Sequence, residues 1–275
     1  DWGSIQVIEP AHKVQSLALP VQPLETAGVL VETSGLVNAQ NNQRIAPERM
    51  TVILNNQPAP LIKAHLTMTP VILNLGETPT NGPIDAKFDL ELRPGDGPGS
   101  YEGVVQFRFW APDSQQPDGK VWSEPVKITM KVKLEAWIRL KTTTTSIRLE
   151  PDPLPNNQNL KIGTSMLIQV AANSNWRLGL KLTRAPANGV NQQLKKPLQF
   201  LVTVADSKQY QGAGSSGIFP ADGPIIIAAG PATTGSETTL WLDIPVTIRI
   251  NDYSQYPAGL YDFTVSFVGE ILSSL

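Results

Sequence analysis

Apolar and polar residues alternate along much of the chain. Phe88, Leu90 and Leu92 are separated by Asp89 and Glu91. Val126, Ile128, Met130, Val132 and Leu134 are separated by Lys127, Thr129, Lys131 and Lys133, and the beat continues through Ala136, Ile138 and Leu140. Residues 240–250 alternate in the same way. A period of two places one side-chain set against a core and the other in water, the pattern of a half-buried strand. Further strands are expected over 1–10, 29–33, 50–54, 61–66, 71–75, 165–171, 176–183, 198–204 and 225–228. Turns rich in Pro, Gly and Asn bound most of them. No stretch keeps a 3.6-residue apolar period with caps, so little helix is expected. Pro245, inside its run, predicts an edge or a bulge. Residues 111–125 and 211–217 read as polar loops. The 126–140 run is too long for one ordinary strand. It divides into the last strand of one domain and the first of the next, with the boundary near Leu134–Ala136. The expected fold is all-β, two tandem immunoglobulin-like (Greek-key) β-sandwich domains over 1–134 and 135–275.

A repeated motif supports the division. Gly99-Ser100-Tyr101-Glu102-Gly103-Val104-Val105-Gln106-Phe107 and Gly259-Leu260-Tyr261-Asp262-Phe263-Thr264-Val265-Ser266-Phe267 share Gly-x-Tyr-acid-x-x-Val-x-Phe at an offset of 259 − 99 = 160. Tyr101, Val105 and Phe107, and likewise Tyr261, Val265 and Phe267, fall on one strand face and are the expected core of each copy. An offset of 150 aligns Leu30 with Leu180, Thr33 with Thr183, Asn38 with Asn188, Pro47 with Pro197 and Val52 with Val202. At the front, residues 4–10 resemble residues 146–151. The first domain has a strand after its tyrosine motif, 126–134, for which the second has no counterpart in sequence. An incomplete sheet edge invites another strand.

Composition narrows the functional classes. The 275 residues suit two domains, each able to hold its own core. The formal charge of −2 gives no reason to expect nucleic acid or an anionic membrane surface as partner. There is no cysteine, which removes disulfides, thiolate metal sites and a cysteine nucleophile. Charged residues are 17%, so the polar surface is mostly uncharged and compatible with self-association. No apolar run reaches membrane-spanning length. The first residue, Asp1, suggests a chain whose signal peptide has been removed, or a trimmed one.

Catalytic and cofactor motifs are not found in the sequence. His12 and His65 have no acidic residue at a spacing that suggests a triad or a zinc site, and each reads as a strand or surface residue. The turns at Asp96 and at Asn251-Asp252 could hold calcium, though turn chemistry alone explains them. No catalytic, cofactor or metal residue is assigned, and no enzyme is expected. Of six tryptophans, Trp176 reads as core, and Trp137 and Trp241 as core or interdomain. Trp110 and Trp122 flank the 111–125 loop and are expected to pack across its base.

The Pro257-Ala258-Gly259-Leu260-Tyr261 run resembles the closing strand of bacterial and archaeal surface proteins with immunoglobulin-like or pilin-like β-sandwich domains. That resemblance implies a tyrosine corner, with the hydroxyl bonded to nearby backbone. It also implies subunits that polymerise by strand donation, with Asp1–Pro10 as donor and Ile5, Val7 and Ile8 as the inserted side chains. The resulting expectation is a secreted, non-enzymatic subunit of an extracellular filament or surface layer, its partners head-to-tail copies of itself. The alternative is a monomeric adhesin or carbohydrate-binding module in which Trp110 or Trp122 touches a glycan.

Overall fold

A computed structural model describes residues 1–19, 26–55, 61–75, 84–149, 163–184, 198–219, 223–233, 240–250 and 261–272. The protein is nearly all β. The only helical turn among the described residues is a 3-10 turn at Pro47–Arg49, opened by a proline whose missing N–H costs nothing there. The chain divides into two compact units, Asp1–Glu135 and one that begins at Ala136.

Unit 1 holds β1 (Ser4–Ile5), β2 (Ala11–Leu19), β3 (Gly28–Thr33), β4 (Leu36–Asn38), β5 (Arg44–Ile45) and β6 (Met50–Asn55). It continues with β7 (Ile62–His65), β8 (Val71–Asn74), β9 (Ile84–Leu92), β10 (Gly99–Pro112), β11 (Lys120–Trp122) and β12 (Val126–Leu134). One sheet runs β1-β12-β10-β3-β8, with β4, β5 and β11 attached around β10; the other runs β2-β9-β6-β7. Their inner faces share one core, with Val29, Val31, Phe107, Phe109 and Val132 from the first sheet and Val52, Leu54, Phe88 and Leu90 from the second. Phe88 meets Phe107 edge to face, ring centroids 6.0 Å apart.

Unit 2 holds β13 (Ile138–Thr142), β14 (Ser146–Leu149), β15 (Gly163–Ala172), β16 (Trp176–Arg184) and β17 (Leu198–Thr203). It ends with β18 (Gln211–Gly212), β19 (Ser215–Phe219), β20 (Ile225–Gly230), β21 (Leu242–Ile250) and β22 (Tyr261–Ile271). Its sheets run β13-β15-β21-β17-β19 and β14-β22-β16-β20-β18. β13 belongs to the first of these sheets and β14, which follows after a bend at residues 143–145, to the second. Between the sheets lie Ile168, Val170, Trp176, Leu180, Phe200, Ile244, Val246 and Phe263. Trp176 is core, as its sequence suggests, and its indole N–H is satisfied by the Pro231 carbonyl at 2.7 Å.

Two local expectations are corrected, and the edge expected at Pro245 holds on one side of its strand. Residues 111–125 are not one loop, because β10 extends to Pro112 and pairs with β11 as a hairpin. Residues 211–217 are not a free loop either, since β18 and β19 form there. Their glycines allow close approach: a Cβ at Gly217 would lie 2.3 Å from the Phe200 ring, and one at Gly212 would lie 2.1 Å from the Val204 carbonyl oxygen. Pro245 sits in β21, an inner strand, where it pairs with Leu167 of β15. β17 pairs with β21 only over 247–250, so around Pro245 the strand is an edge on that side and a missing donor is tolerated.

Candidate functional site

The tyrosine motif builds a rigid corner in unit 1. Gly99 enters β10 at φ +141, a conformation that L side chains rarely adopt. Tyr101 is 2% exposed, and its hydroxyl donates to the Gly97 carbonyl at 2.8 Å, with the Gln43 amide group 3.0 Å away. The geometry is that of a tyrosine corner, here at Tyr101 in the first copy, whereas the run that carries the resemblance ends at Tyr261. Burial, and next the nearby Asp96 carboxylate, push the phenol up to about 12. Val105 and Phe107 are fully buried beside it. In the second copy Val265 is buried but Phe267 is only half-buried. The Tyr261 side chain and residues 257–260 lie outside the described residues.

Asp96 is committed to protein. Arg49 reaches its two oxygens with a forked pair at 2.6 and 2.5 Å, and the Arg93 N–H donates to it at 2.7 Å. Arg49 also caps the Glu91 carbonyl. A guanidinium therefore stands where a calcium ion would be sought. Asn251 and Asp252 lie outside the described residues, and no cluster of metal-ligating side chains occurs among the described residues. The histidines form two separate pairs on the outer face of the β2-β9-β6-β7 sheet: His12 with Asp89, and His65 with Thr51, both at 3.0 Å. The His12–Asp89 contact arises from cross-strand neighbours 77 residues apart, a spacing that sequence does not reveal.

The N-terminal segment is engaged within its own unit. Ser4 and Ile5 pair in parallel with Lys133 and Leu134 of β12. Trp2 N–H donates to Lys131, Lys133 N–H to Gly3 and Glu135 N–H to Ile5. Ile5 is 8% exposed and Val7 3%, both in the unit 1 core, while Ile8 is half-buried. Two of the three expected donor residues, Ile5 and Val7, are thus placed in their own core: alternation fixed which side chains turn inward, but not whose core receives them. In this state the segment is not available to a neighbour.

Comparing the two units strand by strand exposes an open edge. β10 lies between β3 and β12, with β1 outside β12. β22 lies between β16 and β14. β14 runs antiparallel to β22, and β1, parallel to β12, runs antiparallel to β10. Among the described residues, unit 2 has the arrangement of unit 1 without a strand at the β12 position, and its first strand in that sheet, β14, lies against the tyrosine strand. β14 reaches only part of β22, pairing with residues 261–264. Among the described residues no strand pairs with that side of β22 over 266–271. Phe267 and Ile271 are half-buried there, across from the half-buried Ile138 and Leu140 of β13. At the equivalent place in unit 1, β12 covers β10 as far as Phe107, the Ser123 hydroxyl meets the Phe109 N–H, and Phe107 and Phe109 are sealed. Among the described residues the β22 edge is thus unpaired over 266–271 at the seam where its sheet meets β13, with Ile138 packed over Gly269 and Leu140, Phe267 and Ile271 half-buried against the core.

A second feature lies on the outer face of β10. Trp110 and Trp122 are directly opposed across β10 and β11. Arg108 and Lys120 were not singled out from the sequence, although the i, i+2 spacing of Arg108 and Trp110 puts them on one face. The Arg108 guanidinium lies 5.4 Å from the Trp122 ring centroid, and the Lys120 ammonium 4.5 Å from that of Trp110 and 5.8 Å from that of Trp122. Asp118 accepts from the Trp122 indole at 3.3 Å. That bond, followed by the one from the Lys120 backbone N–H, holds its carboxyl below the ordinary range. Trp137 is buried in unit 2; Trp241 is half-buried with the Lys141 ammonium 3.7 Å above it.

The fold class is thus a pair of β-sandwich-like units, each with its own core. No family model matches the chain, and no curated protein matches its sequence. Among solved structures, a family 123 glycoside hydrolase from Clostridium perfringens is similar over 48% of this chain at 13% identity and a TM-score of 0.29; the chain spans 22% of that hydrolase. A variant of the enterotoxigenic E. coli CFA/I adhesin CfaE is similar over 98% of this chain and 75% of its own, at 8% identity and a TM-score of 0.29. The C-terminal domain of the Streptococcus agalactiae AgI/II polypeptide BspA is similar over 98% and 91%, at 9% identity and a TM-score of 0.22. At these scores the likeness is one of β architecture and assigns neither activity nor partner. No helix among the described residues is long and apolar enough to cross a membrane.

Proposed function

We propose that the protein is a non-enzymatic, extracellular subunit of a pilin-like or adhesive surface assembly, joined to its neighbour by a strand that unit 2 accepts beside β22. The observation that carries this reading is the seam over 266–271, where Phe267 and Ile271 stay half-buried while Phe107 and Phe109 are sealed in unit 1. A strand with the pattern of β12, apolar at every second residue and antiparallel to β22, supplies main-chain hydrogen bonds along the edge and side chains for the gap. Alternation fixes its register, because a slip of one residue turns the apolar set to water. The contact is heterologous, so repetition extends a filament instead of closing a dimer. If the donor is Asp1–Pro10 of another copy, that segment first leaves its own core, exposing Ile5 and Val7.

Two peptides test this, one of residues 126–134 and one of residues 1–10. We expect the first to slow amide exchange over 266–271 and to raise the melting temperature of unit 2. Protection by the second as well supports a homopolymer. If neither peptide protects β22, strand acceptance at this seam is wrong.

A further inference from the structure

We propose that the outer face of unit 1 around β10 and β11 is a binding site for an acidic saccharide, a pyranose bearing a carboxylate. The sugar face stacks on the tryptophan pair, and the carboxylate is met by Arg108 and Lys120. This does not depend on strand acceptance by unit 2.

Period-two geometry puts Arg108 and Trp110 on the same outward face of β10. Cross-strand pairing brings Trp122 opposite Trp110 and Lys120 opposite Pro112. Lys127 stands on that face too, opposite Gln106. The floor is prepared by Gly28 of β3, opposite Trp110: a Cβ there would lie 2.3 Å from the indole nitrogen, so the glycine leaves room for the ring to lie against the sheet. The Trp110 indole N–H is buried without a hydrogen-bond partner, as is Nε of Arg108. An indole placed at the expense of its own hydrogen bond is serving as a surface, not as a donor.

The charge complement sets the ligand class. Among the described residues no carboxylate lies within ion-pair distance of Arg108, Lys120 or Lys127. Glu32 is engaged with Gln106 at 3.3 Å, and Asp118, which accepts from the Trp122 indole at the rim of the site and feels the Lys120 charge, forms no ion pair with Lys120, so Arg108 is the cation left fully to a ligand. In a chain of net charge −2, cations held against two indoles form a local site for an anion with a flat apolar face. A uronic acid and a sialic acid both have that chemistry.

A structural cation–π ladder, stabilising the hairpin only, is the competing account. The test uses the full chain and two acidic probes, hexagalacturonate and sialyllactose, each beside a neutral counterpart, the methyl-esterified hexamer and lactose. The readout is the indole N–H signals of the six tryptophans. We expect at least one acidic probe to shift the Trp122 signal saturably while its neutral counterpart does not. Arg108→Gln, Trp122→Ala and the milder Lys120→Gln should each weaken binding, the first two by about tenfold or more. The remaining indole signals report whether each variant is folded. No shift with either acidic probe, equal response to a neutral counterpart, or unchanged affinity in folded Arg108→Gln and Lys120→Gln would overturn the site.

Discussion

Tyr101 connects sequence motif, local geometry and stability in one side chain. Its ring fills the core and its hydroxyl ties β10 to the turn before it through Gly97. Tyr101→Phe keeps the ring and leaves the buried carbonyl without its donor, so we expect a loss of about 1–2 kcal/mol in urea unfolding. The same residue gives unit 1 an alkaline limit. Its phenol titrates near 12 in the native state, against an ordinary value of 10.0. Between these values the unfolded chain loses its proton while the native protein keeps it, so stability is full below about pH 10 and falls as pH rises toward 12. The loss approaches about 2–3 kcal/mol for a two-unit shift. Wild type minus Tyr101→Phe, measured across that range, isolates this contribution from other titrating groups. The motif was legible in sequence because tyrosine, valine and phenylalanine recur at fixed spacing. Arg49, which fixes the same turn, was not, because its partner Asp96 lies 47 residues away.

At the scale of elements, the turn between β9 and β10 is held from the side by that Arg49–Asp96 fork. Both side chains are well shielded, 13% and 9% exposed. Asp96→Asn leaves a shielded guanidinium without its counter-charge, and we expect a cost of about 3–5 kcal/mol, with faster amide exchange in residues 93–99. A loss below about 1 kcal/mol would mean that the pair behaves as an exposed one. Strand existence was the most legible level, since alternation alone locates β9, β12 and β21, whose inward positions are the buried ones. Strand partners were less so. β18 and β19 were hidden because glycine reads as loop in a sequence, whereas here it admits a strand over the Phe200 ring. Phe267 was expected to be as buried as Phe107, but similar motifs acquire different burial when, among the described residues, the strand beside one of them stops short, as β14 does at Thr264.

For the whole molecule, the sequence motif repeat raises the expectation of two domains, and the structure has two compact units that divide between Glu135 and Ala136. What it could not reveal was the destination of the first strand, since apolar alternation is the same for a strand that stays home and one that is given away. The parallel pairing of Ile5 with Leu134 spans 134 − 5 = 129 residues. Contacts so distant along the chain form late, because the loop between them must close first. We therefore expect unit 1 to complete itself last at its own beginning, with β12 open for that interval to any matching strand, including that of another molecule. Refolding rate and protein concentration then compete for the outcome. Dilute refolding should return monomers, and concentrated refolding should return exchanged dimers that separate only on unfolding, resolved by size-exclusion chromatography. Monomers alone at every concentration would mean that the first strand docks before a second chain can be met.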